Sequence, residues 1–145
     1  MKIEQLLKRV ELFNTLDDAD LEAVAALCSQ RVLDAGEVLA VQEEPGTELF
    51  IIADGLVEVV VQRQGAPRVV VNLGSGQLIG EMSLIDRGLR SATVRVIQTP
   101  TVIYAIRYRD LQNLCEYNTR IGYRVMRNLA ADLSFKLRQH HWSGG

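Results

Sequence analysis

Between Arg31 and Ile106 the chain breaks into short β-type runs, and this constrains its fold more than any other feature. The runs are Arg31–Leu33, Val38–Gln42, Leu49–Ile52, Leu56–Gln62, Arg68–Leu73, Ser91–Ile97 and Thr101–Ile106. Between them lie Ala35-Gly36, Glu43-Glu44-Pro45-Gly46, Asp54-Gly55, Gly65-Ala66-Pro67 and Gly74-Ser75-Gly76, all strong turn chemistry. Short strands at such spacing predict an antiparallel sandwich or barrel, here a jelly roll. Gly46 and Gly55 read as tight-turn residues with a structural role.

Helical periodicity frames this run on both sides. Residues 2–13 predict an amphipathic helix, with Ile3, Leu6, Leu7, Val10 and Phe13 on one face. Asn14-Thr15-Leu16 breaks it, and a second helix follows, capped by Asp17, with Leu21, Val24, Ala25 and Leu27 apolar. After Ile106, Tyr108–Tyr117 predicts a helix with Leu111, Leu114 and Cys115 inward. Asn118-Thr119 marks a joint before a longer helix from about Thr119 to Gln139. Its apolar stripe is Ile121, Val125, Leu129, Leu133 and Leu137, with Met126 and Ala130 alongside. Arg120, Arg124, Arg127, Lys136 and Arg138 around it read as a solvated face rather than a DNA contact. The expected fold class is mainly β with flanking helices, one domain over residues 1–145. Within it, 1–29 are N-terminal helices, 30–106 a β-roll and 107–141 C-terminal helices.

Composition then removes several function classes. A net charge of −2 with 48% hydrophobic residues suits neither a disordered nor a strongly nucleic-acid-like chain. No apolar run approaches the ~20 residues that span a bilayer, and no signal peptide opens the chain, so a soluble cytoplasmic protein with no membrane partner is expected. Cys28 and Cys115 read as buried small apolar residues, and the histidines, His140 and His141, are adjacent near the C-terminus. A metal cupin needs clustered His and carboxylate ligands in its strands, so no metal and no cofactor is expected. No nucleophile–base pair is visible either, so no catalytic residue and no enzyme is expected.

The chemistry concentrates in residues 76–94, GQLIGEMSLIDRGLRSATV. Gly80 has no Cβ, so a ligand or another backbone can approach it closely. Glu81-Met82-Ser83-Leu84 has the composition of one helical turn, whose leading amides have no internal partner and suit an anion. Arg90, ten residues past Gly80, is returned to the same spot by the short loop Asp86-Arg87-Gly88-Leu89. Its guanidinium can hold a phosphate through two parallel N–H bonds. One Arg plus a few amides suits a monoanion, while no G-x-x-x-x-G-K-[ST] is present for a triphosphate. Glu81, a poor neighbour for phosphate, is a good acceptor for sugar hydroxyls. A carboxylate for a ribose beside an Arg for one negative charge describes a cyclic nucleotide.

These residues resemble the phosphate-binding cassette of cyclic-nucleotide-binding domains of the cAMP-receptor and kinase-regulatory-subunit type. The pattern is G-E-[LM]-[AGS]-L, about ten residues, then R-[ST]-A-T. Two further stretches are similar to the family: the helical lead-in KRVELFNTLDDADLEAVAALCSQRVLDAGEVL and the segment PGTELFIIADGLVEVV. The resemblance implies the double-stranded β-helix fold of these domains. It implies a ligand site of Gly80, Glu81, Met82, Ser83, Arg90, Ser91 and Ala92, with Glu81 on the ribose 2′-hydroxyl and Arg90 on the cyclic phosphate. Leu89 departs from the proline many members carry there. It further implies a sensor of cAMP, or else cGMP, that passes its signal to an effector protein. Lys136 stands where transcription-factor members place a base-touching hydroxyl, which weakens the adenine preference.

Two other readings stand beside the stand-alone sensor. One is a truncated cAMP-receptor-type transcription regulator, whose helix-turn-helix would follow the long helix; DNA binding is not expected from these residues alone. The other is a degenerate domain kept as an interaction module. The long helix either caps its own core or is shared, one edge covering the ligand and the other facing a second copy in a homodimer. Leu133, Lys136 and Leu137 are the candidate lid over the base.

Overall fold

The computed structural model describes residues 2–86 and 88–143, with side chains to Gln139. Arg87 in the expected return loop and the side chains of His140 and His141 lie outside the described residues. Eight strands form: β1 Ser29–Leu33, β2 Val38–Ala40, β3 Glu48–Asp54, β4 Val57–Arg63, β5 Ala66–Leu73, β6 Leu78–Ile79, β7 Thr93–Val96 and β8 Thr101–Arg107. The helices are α1 Ile3–Arg9, α2 Asp18–Ala25, α3 Ser83–Asp86, α4 Tyr108–Tyr117 and α5 Thr119–Ser143.

The strands make two four-stranded antiparallel sheets, ordered β1-β8-β3-β6 and β2-β7-β4-β5, the jelly roll expected. Strands end where the chemistry demands a turn. Gln64 and Gly65 both take positive φ, 53° and 84°, and close β4 and β5 as a two-residue hairpin. Pro67, expected in the turn, sits one step inside β5, where an edge strand tolerates a missing N–H. The short β6 was not anticipated as a strand; its two residues pair with Phe50 and Ile51 of β3. Inward-facing side chains, Phe50, Ile52, Val57, Ile79, Val94, Val96 and Ile103 among them, make the core of this roll.

The chain divides into two units, Leu27–Leu111 and Met1–Ala26 with Gln112–Gly145. In the helical unit, α1 stops at Arg9 rather than running to Phe13, because Val10 turns extended (φ −86°, ψ 129°). Phe13 is still fully buried, carried there by turns instead of helix. Asp17 caps α2 as expected, accepting the Asp20 amide at 2.9 Å, and Asn118 caps α5 by accepting from the Ile121 amide at 3.2 Å. Gly122 follows because a Cβ there would run into the Cys115 carbonyl. A ladder along α5 then ties it to the α1–α2 connection. Arg120 pairs with Asp20, Arg124 donates to the Thr15 carbonyl at 3.0 Å, and Asn128 reaches the Leu12 carbonyl and the Thr15 hydroxyl.

The apolar stripe on α5 is not one stripe. Ile121, Val125 and Leu129 are buried, but Leu133 is only half-buried and Leu137 is exposed. A stripe repeating every four residues drifts around a helix of 3.6 residues per turn, so its far end leaves the buried face. Cys115, expected inward, is half-buried.

Candidate functional site

Residues 78–90 carry the candidate site because β6, α3 and the following loop bring its two ends together. Gly80 leaves β6 with φ +90°, a conformation that favours glycine. A Cβ there would collide with the Arg90 guanidinium and lie 2.7 Å from the Tyr108 hydroxyl. The close approach expected at Gly80 is therefore made by the chain's own side chains. The helical turn starts two residues later than expected, at Ser83, with Leu84 and Ile85 donating back to the carbonyls of Glu81 and Met82. The amides leading that turn are those of residues 81–83.

Arg90 is fixed through both its backbone and its side chain. Its N–H donates to the Glu44 carbonyl and its carbonyl accepts from Glu43, each at 2.8 Å, so the β2–β3 loop clamps it. Arg90 as a whole is 8% exposed. One terminal nitrogen donates to the Tyr108 hydroxyl at 2.7 Å and the other to the Glu48 carbonyl at 2.6 Å. The rings of Phe50 and Tyr108 stand 5.9 and 5.7 Å from its central carbon. Glu48's carboxylate is engaged by Arg31 at 2.6 Å, so only its carbonyl serves Arg90. Among the described residues no carboxylate pairs with Arg90. A buried cation whose described hydrogen bonds end on neutral oxygens lacks a direct ion pair among the described residues.

The remaining predicted residues differ in exposure and in partners. Glu81 is half-buried beside Gly80; Ser83 is buried and its hydroxyl donates to the Gly88 carbonyl at 3.3 Å. Met82 is exposed, as is Ser91, while Ala92 is half-buried on the way into β7. Leu89, where the family favours proline, bridges to Pro45 across the loop. Of the candidate lid, Leu133 is half-buried, Lys136 bridges to Asp132 at 3.0 Å within α5, and Leu137 is exposed. Among the described residues no cluster of His, Cys, Asp and Glu could hold a metal ion.

Two participants were missed in the sequence. Gly46, read as a turn residue, has no positive φ; it is small because a Cβ would overlap the Arg90 guanidinium. Gly55, by contrast, has φ +114° and is the turn residue expected. Tyr108, counted only as the first residue of α4, is buried, and its hydroxyl accepts from Arg90 and donates to the Gly80 carbonyl at 2.5 Å. Burial pushes that hydroxyl's pKa above its ordinary 10.0; Arg90's charge, the neighbouring Ser83 hydroxyl and the hydrogen bond from Arg90 draw it partly back, and Glu81's charge adds to the rise. A cavity of about 200 Å³ opens beside the guanidinium, lined by β2, the β2–β3 loop, Glu48, Phe50 and Arg90. Glu81 and Ser83 are not in its lining, so this cavity is one flank of the site rather than all of it.

Comparison with known proteins follows this geometry. The sequence pattern of the cyclic nucleotide-binding domain matches residues 30–118. The chain is 33% identical over 118 residues to a cyclic nucleotide-gated potassium channel of Mesorhizobium japonicum, covering 81% of this chain and 31% of the channel. It is 29% identical over 134 residues to the cyclic AMP receptor protein of Thermus thermophilus, covering 92% of this chain and 60% of that protein. The regulatory domain of Toxoplasma gondii protein kinase A, solved with cAMP, superposes with a TM-score of 0.72 at 26% identity, over 77% of this chain and 42% of that one. The chain thus spans less than a third of the channel and well under two thirds of the kinase regulatory domain. Among the described residues no helix is long and apolar enough to cross a membrane.

Proposed function

Since this chain belongs to the cyclic nucleotide-binding domain family, we propose that it binds a 3′,5′-cyclic nucleotide in residues 76–94 and acts as a regulatory sensor without chemistry of its own. The observation that carries this is the buried Arg90 guanidinium with no carboxylate partner among the described residues. A single cyclic phosphate supplies the one missing charge. Glu81, at the other end of the same turn, is the acceptor for ribose hydroxyls in this reading, and the amides of residues 81–83 stand at the head of that turn.

cAMP is the favoured ligand over cGMP. Val59 and Val71 face each other across β4 and β5, on the side of Val57 and Leu73, and Val59 also pairs with Val94 at the end of the cassette. Val71 keeps much of its surface exposed. Such an apolar wall accepts the purine with the less polar edge at the lower desolvation cost. The signal passes to an effector protein in the cytoplasm. DNA contact is not part of the reading, since Arg120, Arg124 and Lys136 of α5 already bind Asp20, Thr15 and Asp132.

A second copy of the chain along α5 is favoured by one specific pattern. Beside its buried face, α5 carries Tyr123, Met126, Ala130, Leu133 and Leu137 at alternating spacings of three and four, the seam of a coiled coil. Tyr123 and Leu137 are 65% and 68% exposed, so this seam is open to a partner. Leu137→Asp should then leave the melting temperature unchanged and yield a monomer by sedimentation; a parent that is monomeric at all concentrations removes this part of the reading.

Calorimetry against cAMP, cGMP, 5′-AMP and ATP tests the function. Tight binding of cAMP, weaker binding of cGMP and much weaker binding of 5′-AMP and ATP is the expected order. Equal affinity for ATP and cAMP would overturn it.

A further inference from the structure

The Arg90 guanidinium has five N–H donors, and among the described residues two of them are met, by Tyr108 and the Glu48 carbonyl. What those two bonds do is set the plane in which the other three point. Glu48 contributes a main-chain oxygen held in β3, and any residue at position 48 would supply it. The Tyr108 hydroxyl is different, because one atom removes it and because it is itself oriented. Its proton goes to the Gly80 carbonyl, so its lone pairs are turned to Arg90. A phenol's ordinary pKa of 10.0, raised further here by burial, leaves that proton in place at neutral pH. Gly80 and Arg90 are the two ends of the cassette, and Tyr108 opens α4, which begins in the β-unit and ends in the helical one.

We propose that Tyr108 is the positioning residue of the anion site: its hydroxyl presents the Arg90 fork to the phosphate and ties both ends of the cassette to the first turn of α4. The claim rests on the reading of residues 76–94 as a cyclic-nucleotide site. A guanidinium held by a carbonyl alone can rotate about its long side chain, and binding must then supply the ordering that Tyr108 provides beforehand. Tyr108 touches Arg90 and need not touch the ligand. Any rearrangement of Arg90 on binding is felt at the Gly80 carbonyl and at α4 through a single oxygen.

The experiment uses the full chain as parent, Tyr108→Phe, Arg90→Ala and the double variant. cAMP affinity by calorimetry should fall about tenfold in Tyr108→Phe. The same change made on the Arg90→Ala background should have no further effect. Guanidinium ¹⁵N spectra of the ligand-free proteins read the positioning directly: slow rotation of the Arg90 terminal nitrogens in the parent, averaged signals in Tyr108→Phe. A variant that binds within twofold of the parent, with unchanged Arg90 signals, overturns the inference. If the parent binds no cyclic nucleotide, the functional reading fails, and the Arg90 signals alone decide between a positioned and an unpositioned fork. Should Tyr108→Phe not fold, 3-fluorotyrosine in the parent chain keeps the hydroxyl and makes it more acidic. A shifted Arg90 signal then supports the link, and an unshifted one overturns it.

Discussion

Arg90, in the β-unit, is almost fully buried and its hydrogen bonds end on a phenol and a main-chain carbonyl, whereas Arg120, in the helical unit, is largely exposed and ends on the buried carboxylate of Asp20. Under the proposed function, the contrast is between a cation held for a ligand and one used by the fold. Asp20 is 2% exposed and its second oxygen has no hydrogen-bond partner among the described residues, so Arg120 is what keeps that carboxylate tolerable. Among the described residues no carboxylate forms such a pair with Arg90. Its surroundings, two aromatic faces and two glycines without Cβ, shape a space for the guanidinium while leaving its charge unmatched.

The largest expected effect breaks the comparison at Arg90. Arg90→Ala should weaken cAMP binding by roughly 3 kcal/mol, about a hundredfold, because a charge-assisted contact is lost and a phosphate is left partly unpaired. The ligand-free melting temperature should move little, since a buried unmatched charge is removed along with its hydrogen bonds. Arg90→Lys should recover only part of the affinity, as an ammonium cannot make the forked pair. Calorimetry and thermal melting on the same samples check both. Arg120→Ala should show the reverse pattern, a lower melting temperature with affinity within twofold of the parent, because it strands Asp20.

Glu81→Ala should fall between these in affinity, about tenfold down, since it removes hydroxyl contacts and no charge neutralisation. The smallest effect is pH. The Asp17 carboxyl is held below its ordinary 3.8, chiefly by the Asp20 amide, so its stabilisation is complete above that value and is lost as pH falls through the lowered one. Burial pushes the Cys28 thiol up to about 12 and raises Cys115 as well. The unfolded thiols ionise near 9.0 while the folded ones do not, so stability falls as pH climbs past that point. From these groups melting temperatures should be level between about pH 5 and 8. A marked maximum inside that range would assign the stability to other groups.

The family was legible because the motif lies within one stretch: a glycine, a carboxylate, a helical turn and an arginine at fixed offsets. The strands were legible because turn residues punctuate them, and the cap at Asp17 and the joint at Asn118 because polar side chains stand directly before apolar periodicity. Tyr108 was not legible. It lies 18 residues from Arg90 and 28 from Gly80, and at the head of an amphipathic helix a tyrosine reads as another apolar position. Gly46 was misread for a related reason, since a glycine beside proline signals a turn whether or not a guanidinium lies against it. The overlong α1 and the single α5 stripe share another cause. Periodicity marks which residues are apolar, but turns can bury Phe13 without a helix and drift can expose Leu137 on one.

The central claim is that Arg90 carries a charge meant for a ligand, and a neutral ligand tests it most directly. Adenosine keeps the base and ribose of cAMP but has no phosphate. Titrating both into the parent and into Arg90→Ala should show the parent preferring cAMP by at least about a hundredfold, with Arg90→Ala binding the two alike. An Arg90→Ala protein that keeps the parent's preference for cAMP over adenosine would contradict the account.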